Sequence, residues 1–380
     1  MKKQFKLFVV LSLSIMAFSF SVSLNVAKAE TKSVKAEYLY DFNTGTEIYA
    51  NNENERLPIA SMTKIMLLDL VYENLSLGKL SLDEEVCISE NASGMGGSQV
   101  FLEAGRNYKV SDLIKSVTVA SANDASVALA ERLYGSEEEC VVKMNEKVKS
   151  LGLNNTQFSN CTGLPKPMQY SSAKDIAMIF ADLIKNEGYF EFSKIWMDKI
   201  EHSKNATEIA NTNKLIKFYN GCDGGKTCFT NEAGFCLTAT AKRGNMRLIS
   251  SVIGASDSKT RFNAVSTMFN NGFNSYENKA VLDKDIPLDL TSKVNCGKIQ
   301  RAELIPERDF FVLVKKGDKS SVDLEYFINE LKAPIKKGEV AGFITIYNNG
   351  IEVGKVNVLT LQNIEKSNYF DTVRDIANAW

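Results

Sequence analysis

Two strand-patterned stretches bracket a long helical one, and that order restricts how the chain can close a core. Residues 34–50, VKAEYLYDFNTGTEIYA, alternate apolar and polar side chains around Asn43-Thr44-Gly45, which predicts a β-hairpin. From about Pro58 to Lys185 the spacing is helical. The segment MTKIMLLDLVYENL is apolar nearly all round, as a buried helix would be. Val110-Ser111-Asp112 opens a further helix, with Leu113, Ile114 and Val117 on one face. Ser121-Ala122-Asn123-Asp124 breaks it, and a helical pattern resumes from Ala125 to Leu133. Pro165 and Pro167 mark a loop, and Ser171-Ser172 caps a helix running through Ile184. Strand pattern returns near Lys226. Residues 235–255 read as two strands joined at Arg243-Gly244-Asn245, and Ser256 or Asp257 caps a helix carrying Phe262, Val265, Met268 and Phe269. One antiparallel sheet with helices packed on it is the economical solution.

A chain of 380 residues suggests two or three domains. From about Glu277 the texture changes to short strands, in VLDKDIPLDL, RDFFVLVKKG and GFITIYNNGIEVGKVNVLT, with turns at Lys316-Gly317 and Asn348-Asn349-Gly350. This predicts a separate small β domain. The last residues place Tyr369, Phe370, Val373, Ile376, Ala377 and Trp380 on one helical face, which suits docking on that domain or peripheral contact with a membrane surface.

Composition excludes several classes. With 44% apolar and 24% charged residues the chain is not disordered, collagenous or a coiled coil. A formal charge of −1 gives no footprint for nucleic acid. One histidine, His202, weighs against histidine-rich metal sites and paired imidazoles; beside Glu201 it reads as a surface residue. The start is basic at Lys2, Lys3 and Lys6, then apolar from Leu7 to about Leu24, then Ala27-Lys28-Ala29, the pattern of a secretory signal peptide; a retained anchor is the alternative. Removing residues 1–29 removes four lysines and no acid, taking the charge from −1 to −5. Seven cysteines show no disulfide framework and no CxxC, so free or buried thiols are expected.

Three short constellations carry chemistry. In Ser61-Met62-Thr63-Lys64 a helical start places Lys64 over the Ser61 hydroxyl. A serine oxygen needs a proton acceptor, and a lysine serves if its pKa is lowered. The backbone N–H of Ser61, at the helix start, offers an oxyanion donor. Taken alone, the pattern also fits a helix cap with a surface lysine. Ser121-Ala122-Asn123 supplies a hydroxyl able to relay a proton and an amide able to hold a carbonyl, or simply a capping turn. Gly224-Gly225-Lys226-Thr227-Cys228-Phe229-Thr230 supplies a cation and a hydroxyl for a carboxylate, with the Phe229 N–H as a further oxyanion donor, or simply an edge strand.

Ser-x-x-Lys, Ser-x-Asn and Lys-Thr in that order, 60 and 105 residues apart, are far more specific than any one of them. At this point the sequence resembles the serine D-alanyl-D-alanine carboxypeptidases, the low-molecular-mass penicillin-binding proteins. Residues 57–64, 94–98, 119–125, 211–215, 230–237 and 332–342 share in the resemblance. It implies an α+β chain: a β-lactamase/transpeptidase-like domain, an antiparallel sheet with a helical cluster, followed by a small all-β domain. The expected divisions are a signal peptide at 1–29, a D,D-peptidase domain at 30–276, a β domain at 277–363 and an amphipathic helix at 364–380. It further implies an extracytoplasmic enzyme with Ser61 as acylated nucleophile, Lys64 as base and Ser121 as proton relay. Asn123 would hold the donor peptide, and Lys226 and Thr227 would grip its terminal carboxylate, with Phe229 completing the oxyanion hole. The substrate would be a peptidoglycan stem peptide ending in D-Ala-D-Ala, β-lactams would acylate the serine, and no metal or organic cofactor enters.

Two departures from the family pattern stand out. Cys228 occupies the place of the glycine in the third motif, and Gln169 stands where many members carry histidine. A serine β-lactamase, or a wall-binding homologue impaired by Cys228, are the alternatives.

Overall fold

The hairpin expected at 34–50 forms as β1 (Ala36–Asp41) and β2 (Thr46–Asn51), turned by Asp41, whose Oδ1 accepts from Thr44 N and Oγ1 at 2.9 and 2.7 Å. This computed structural model describes residues 34–371 and Val373. The expected leader at 1–29 and, of the expected C-terminal helix, residues 372 and 374–380 lie outside the described residues. The start of that expected helix is not helical: Ile364 and Lys366 form isolated bridges with Ile335 and Gly297, and helix begins at Tyr369.

After β2 the chain makes one turn of 3-10 helix, Ala60–Thr63, and enters α1 (Lys64–Ser76). α1 buries every residue from Lys64 to Tyr72, as its apolar circumference requires. The helical stretch is not continuous. A hairpin of β3 (Glu85–Cys87) and β4 (Asn107–Lys109) interrupts it, pairing Val86 with Tyr108. α2 (Val110–Lys115) passes through a π turn, Ser116–Ala120, to Ser121, and α3 (Asn123–Tyr134) follows. α4 (Glu137–Ser150) opens on three glutamates and ends on lysines, complementing its dipole. α5 (Ala173–Leu183) is capped by the Ser172 side chain, which accepts from Asp175 N at 3.0 Å.

A second hairpin, β5 (Met197–Glu201) and β6 (Ala206–Ala210), precedes β7 (Cys222–Thr230), β8 (Gly234–Arg243) and β9 (Met246–Ala255). β7 to β9 join the first hairpin in an antiparallel five-stranded sheet of order β2-β1-β9-β8-β7, so β7 is an edge strand. One face packs on α6 (Ser258–Ser275) through Leu237, Leu248, Val265 and Phe269. The other face, with Tyr38, Ile249, Cys228 and Cys236, packs on the helical cluster. The Asp257 side chain caps α6 by accepting from Thr260 N at 2.9 Å.

α6 runs directly into β10 (Tyr276–Leu282). The strand expected across residues 281–290 stops at Leu282, because Asp283 accepts from Asp285 N at 2.8 Å and turns the chain ahead of Pro287. β11 (Thr291–Asn295), β12 (Arg301–Pro306), β13 (Phe310–Lys315), β14 (Val322–Ile328), β15 (Leu331–Lys332), β16 (Val340–Asn348) and β17 (Ile351–Thr360) complete the chain. β10 pairs with β13, and the rest form a six-stranded sheet of order β14-β16-β17-β12-β11-β15 around its own apolar core.

Among the described residues no helix is long and apolar enough to cross a membrane, and no group of three His, Cys, Asp or Glu side chains is placed to hold a metal. The seven cysteines are all free, five of them buried.

Candidate active site

Ser61 sits in the 3-10 turn and Lys64 opens α1, so the two side chains meet one turn apart. The Lys64 side chain is fully buried. Its Nζ lies 3.3 Å from Ser61 Oγ, 2.6 Å from Asn123 Oδ1 and 2.5 Å from the Thr162 carbonyl. Burial pushes its pKa from 10.5 down to about 8. A neutral amine has two N–H bonds and one lone pair. The Asn123 and Thr162 oxygens can only accept, so they take both N–H groups and leave the lone pair to the Ser61 hydroxyl. That is the arrangement a general base requires.

Ser121 takes a left-handed conformation, φ 63°, at the end of the π turn, and this bend aims α3 so that Asn123 faces Lys64. The Asn123 amide is used at both ends, since Nδ2 donates to the Gly96 carbonyl at 2.7 Å. Its backbone N–H donates to Ser98 O at 2.7 Å. The neighbouring Asp124, fully buried, accepts from Val100 N and Leu102 N, both at 3.1 Å, and pins the 94–102 loop beside the site.

β7 packs against the Ser61 turn. Its two leading glycines have reasons. A Cβ on Gly224 would lie 2.9 Å from the Tyr189 ring, and one on Gly225, φ 148°, would lie 2.6 Å from Thr238 O. Tyr189 OH accepts from Gly225 N at 3.2 Å. Lys226 is buried, and its pKa is pushed well down by burial first and by the Lys64 cation second. Its Nζ donates to Thr227 O at 3.2 Å. Thr227 is buried as well, while Phe229 is exposed with its ring stacked on Phe235 at 4.2 Å. Cys228 does not project into solvent: it is 5% exposed and stands directly opposite Cys236 on β8. Buried Arg261 on α6 donates from Nη1 to the carbonyls of Cys228 and Cys236, at 2.8 and 3.2 Å.

The three sequence constellations therefore converge. Ser61, Lys64 and Asn123 are in direct contact, and Lys226 is near enough to Lys64 for their charges to oppose one another. Three further contributors carry no motif. Thr162 offers only a backbone carbonyl. Gly163, φ 81°, lets that loop touch the nucleophile turn, where a Cβ would meet Ala60 O at 2.1 Å. Gln169 braces the loop: its Oε1 accepts from Ser159 N and Asn160 N at 3.2 and 3.1 Å, and its Nε2 donates to Leu164 O at 3.2 Å. His202 is not the surface residue its neighbourhood suggested. It is buried where the β5–β6 hairpin folds onto β4, with Nδ1 2.8 Å from Tyr108 OH and Nε2 2.9 Å from Thr207 Oγ1.

Comparison with known proteins gives this arrangement its relatives. The sequence profile of the D-alanyl-D-alanine carboxypeptidase family matches residues 24–257, and that of the penicillin-binding protein 5 C-terminal domain matches residues 276–366. The chain belongs to the D-alanyl-D-alanine carboxypeptidase family. As a D-alanyl-D-alanine carboxypeptidase it is 40% identical over 349 residues to DacF of Bacillus subtilis, covering 91% of this chain and 90% of that one. It is 33% identical over 348 residues to DacA of Escherichia coli K12, covering 89% and 85%. Penicillin-binding protein 5 of Haemophilus influenzae superposes with a TM-score of 0.72 at 32% identity, over 88% of this chain and 98% of that one. The carboxypeptidase acts in peptidoglycan metabolism, and neither a β-lactamase nor a disabled wall-binding protein is favoured by these relatives.

Proposed function

We propose that the carboxypeptidase works through an acyl-serine on Ser61. Neutral Lys64 takes the Ser61 proton as Oγ attacks the carbonyl of the penultimate D-alanine. The backbone N–H groups of Ser61 and Phe229 receive the oxyanion. The C–N bond breaks as Ser121 passes a proton to the departing D-alanine amine, and Lys226 and Thr227 hold its carboxylate. Water then attacks the acyl carbon, returns a proton to Ser61 and frees the shortened stem peptide. Asn123 fixes the Lys64 amine, and its Nδ2 can exchange the Gly96 carbonyl for a carbonyl of the donor peptide. β-Lactams acylate the same serine.

The observation that carries this reading is the fully buried Lys64 amine, hydrogen-bonded on two sides by obligate acceptors and open on the third to Ser61. We further propose the divisions 1–29, 30–276, 277–363 and 364–380, an extracytoplasmic location, and peripheral membrane contact through the tail. Exposed Tyr369, Phe370 and Val373 support that contact.

The test is mass spectrometry after benzylpenicillin exposure. A long-lived adduct on Ser61, absent from Ser61→Ala, is expected. An adduct on another residue, or labelling retained by Ser61→Ala, would remove Ser61 from its role.

A further inference from the structure

Cys228 and Cys236 form a pair with a consequence of its own. They are register partners on neighbouring antiparallel strands, on the face of the sheet that packs against the helical cluster. Residues directly opposite in such a ladder have Cα atoms about 4.5–5.5 Å apart, inside the range a disulfide bridges. Cys236 is fully buried and Cys228 retains 5% exposure beside the candidate active site. Both backbone carbonyls are tied to one guanidinium, that of Arg261, so the two positions are held as a unit.

The two thiols are not equivalent, and in the reduced pair Cys236 Sγ donates to the Ala233 carbonyl at 3.4 Å. A hydrogen bond from Cys228 holds the Cys236 thiol down, and Arg261 and Lys35 act in the same direction, while burial holds the Cys228 thiol up. One sulfur of the pair is thus the better nucleophile and the other keeps its proton.

We propose that Cys228 and Cys236 are a reversible oxidation site, closed by a hydroperoxide to a β7–β8 disulfide that slows acylation of the enzyme. The thiolate of one cysteine attacks the peroxide oxygen and becomes a sulfenic acid, releasing water once a proton is taken up. The second thiol displaces the sulfenic oxygen as a second water, so two thiols and one hydrogen peroxide give one disulfide and two waters. Closure draws the two Cβ atoms toward about 3.8 Å. Lys226 and the Phe229 N–H lie two residues before and one after Cys228, so β7 carries them with it. A displacement of about 1 Å costs on the order of 100-fold in rate, so a fall of at least roughly tenfold is expected.

The disulfide stands on geometry alone, whereas its effect on acylation rests on the proposed active site. Both readouts come from one experiment on the full chain treated with hydrogen peroxide. Trypsin cleaves after Lys226 and Lys242, so both cysteines fall in the peptide 227–242. After oxidation this peptide should be lighter by two hydrogens and refuse an alkylating label. The rate of fluorescent penicillin acylation should fall with it, and dithiothreitol should restore both. Cys236→Ala and, separately, Cys228→Gly should lose the sensitivity to peroxide. Full alkylation of both residues under conditions that oxidise exposed Cys87 or Cys296 would overturn the site. A disulfide with unchanged acylation, or equal sensitivity in both variants, would overturn the gating. Acylation of neither the oxidised nor the reduced protein would overturn the catalytic reading and the gating together, while the peptide mass would still report the disulfide.

Discussion

Lys64 does two jobs with one nitrogen: it donates to Asn123 Oδ1 and the Thr162 carbonyl, and it accepts the Ser61 proton, and the second depends on its being uncharged. Its pKa of about 8 means the neutral base gains population as pH rises through that value. Acylation by penicillin should therefore rise about tenfold per unit below pH 8 and level off above it. Second-order acylation rates from pH 6 to 10 check this; a flat profile would count against Lys64 as base. The i, i+3 spacing of Ser61 and Lys64 was legible because side-chain chemistry and helical period coincide there. The Thr162 carbonyl was not, since a backbone oxygen leaves no trace in residue type. Gln169 is the visible agent of that carbonyl's placement, through the three hydrogen bonds that brace residues 159–164. Gln169→Ala should slow acylation by about tenfold by loosening Thr162 O. Gln169→Glu retains the acceptor for both N–H groups and should recover most of the rate. An unchanged rate in Gln169→Ala would show that the brace does not position the base.

At the level of elements, the buried helix α1 was readable from its apolar circumference, yet it conceals a charge. Asp69 is 2% exposed between α4 and α5, with Lys147 Nζ 3.6 Å away, too far for a hydrogen bond. Lys147 instead bonds Asp182 and Glu73 at 2.8 and 3.0 Å. Burial raises the Asp69 pKa from 3.8 to about 7. The folded protein then holds a proton up to about pH 7 that the unfolded chain has released by about pH 4. The contribution of Asp69 to stability therefore falls as pH rises across that window. Asp69→Asn removes the titration, and its stability in urea should be flatter than the parent's between pH 4 and 7. Parallel curves would dismiss Asp69 as the source. The β3–β4 hairpin escaped the sequence for a different reason. Its strands are three residues each, too short for a period of two to declare itself. His202 escaped with it, because its burial depends on how two short hairpins meet.

At the scale of the whole molecule, the strand pattern after residue 277 announced a change of architecture but not how the β strands are joined to the sheet that carries the site. The joint includes a covalent run from α6 into β10, the packing of Leu313 on β13 against the core between the sheet and α6, and a buried polar contact. Asn278 Nδ2 on β10 donates to Asp41 Oδ1 and Oδ2 on β1, at 3.1 and 2.9 Å. Asp41 is fully buried, and burial raises its pKa despite four lowering hydrogen bonds. Such a partnership across 237 positions has no local signature, which is why neither residue attracted notice in the sequence. Asn278→Ala leaves Asp41 with its Thr44 donors and an unrelieved buried charge, at a cost of about 1–3 kcal/mol. The sign of the pH effect follows from the direction of the shift. Losing a donor raises the folded pKa further, so the folded state of the variant holds its proton to higher pH than the parent does. The loss should be largest at neutral pH, where the carboxylate must be charged, and should shrink in acid once Asp41 is protonated in both proteins. Urea unfolding of parent and variant at pH 4 and pH 7.5 measures the difference. A loss that is equal at the two pH values would mean that the contact holds the β strands by packing, and that the Asp41 charge plays no part in the joint.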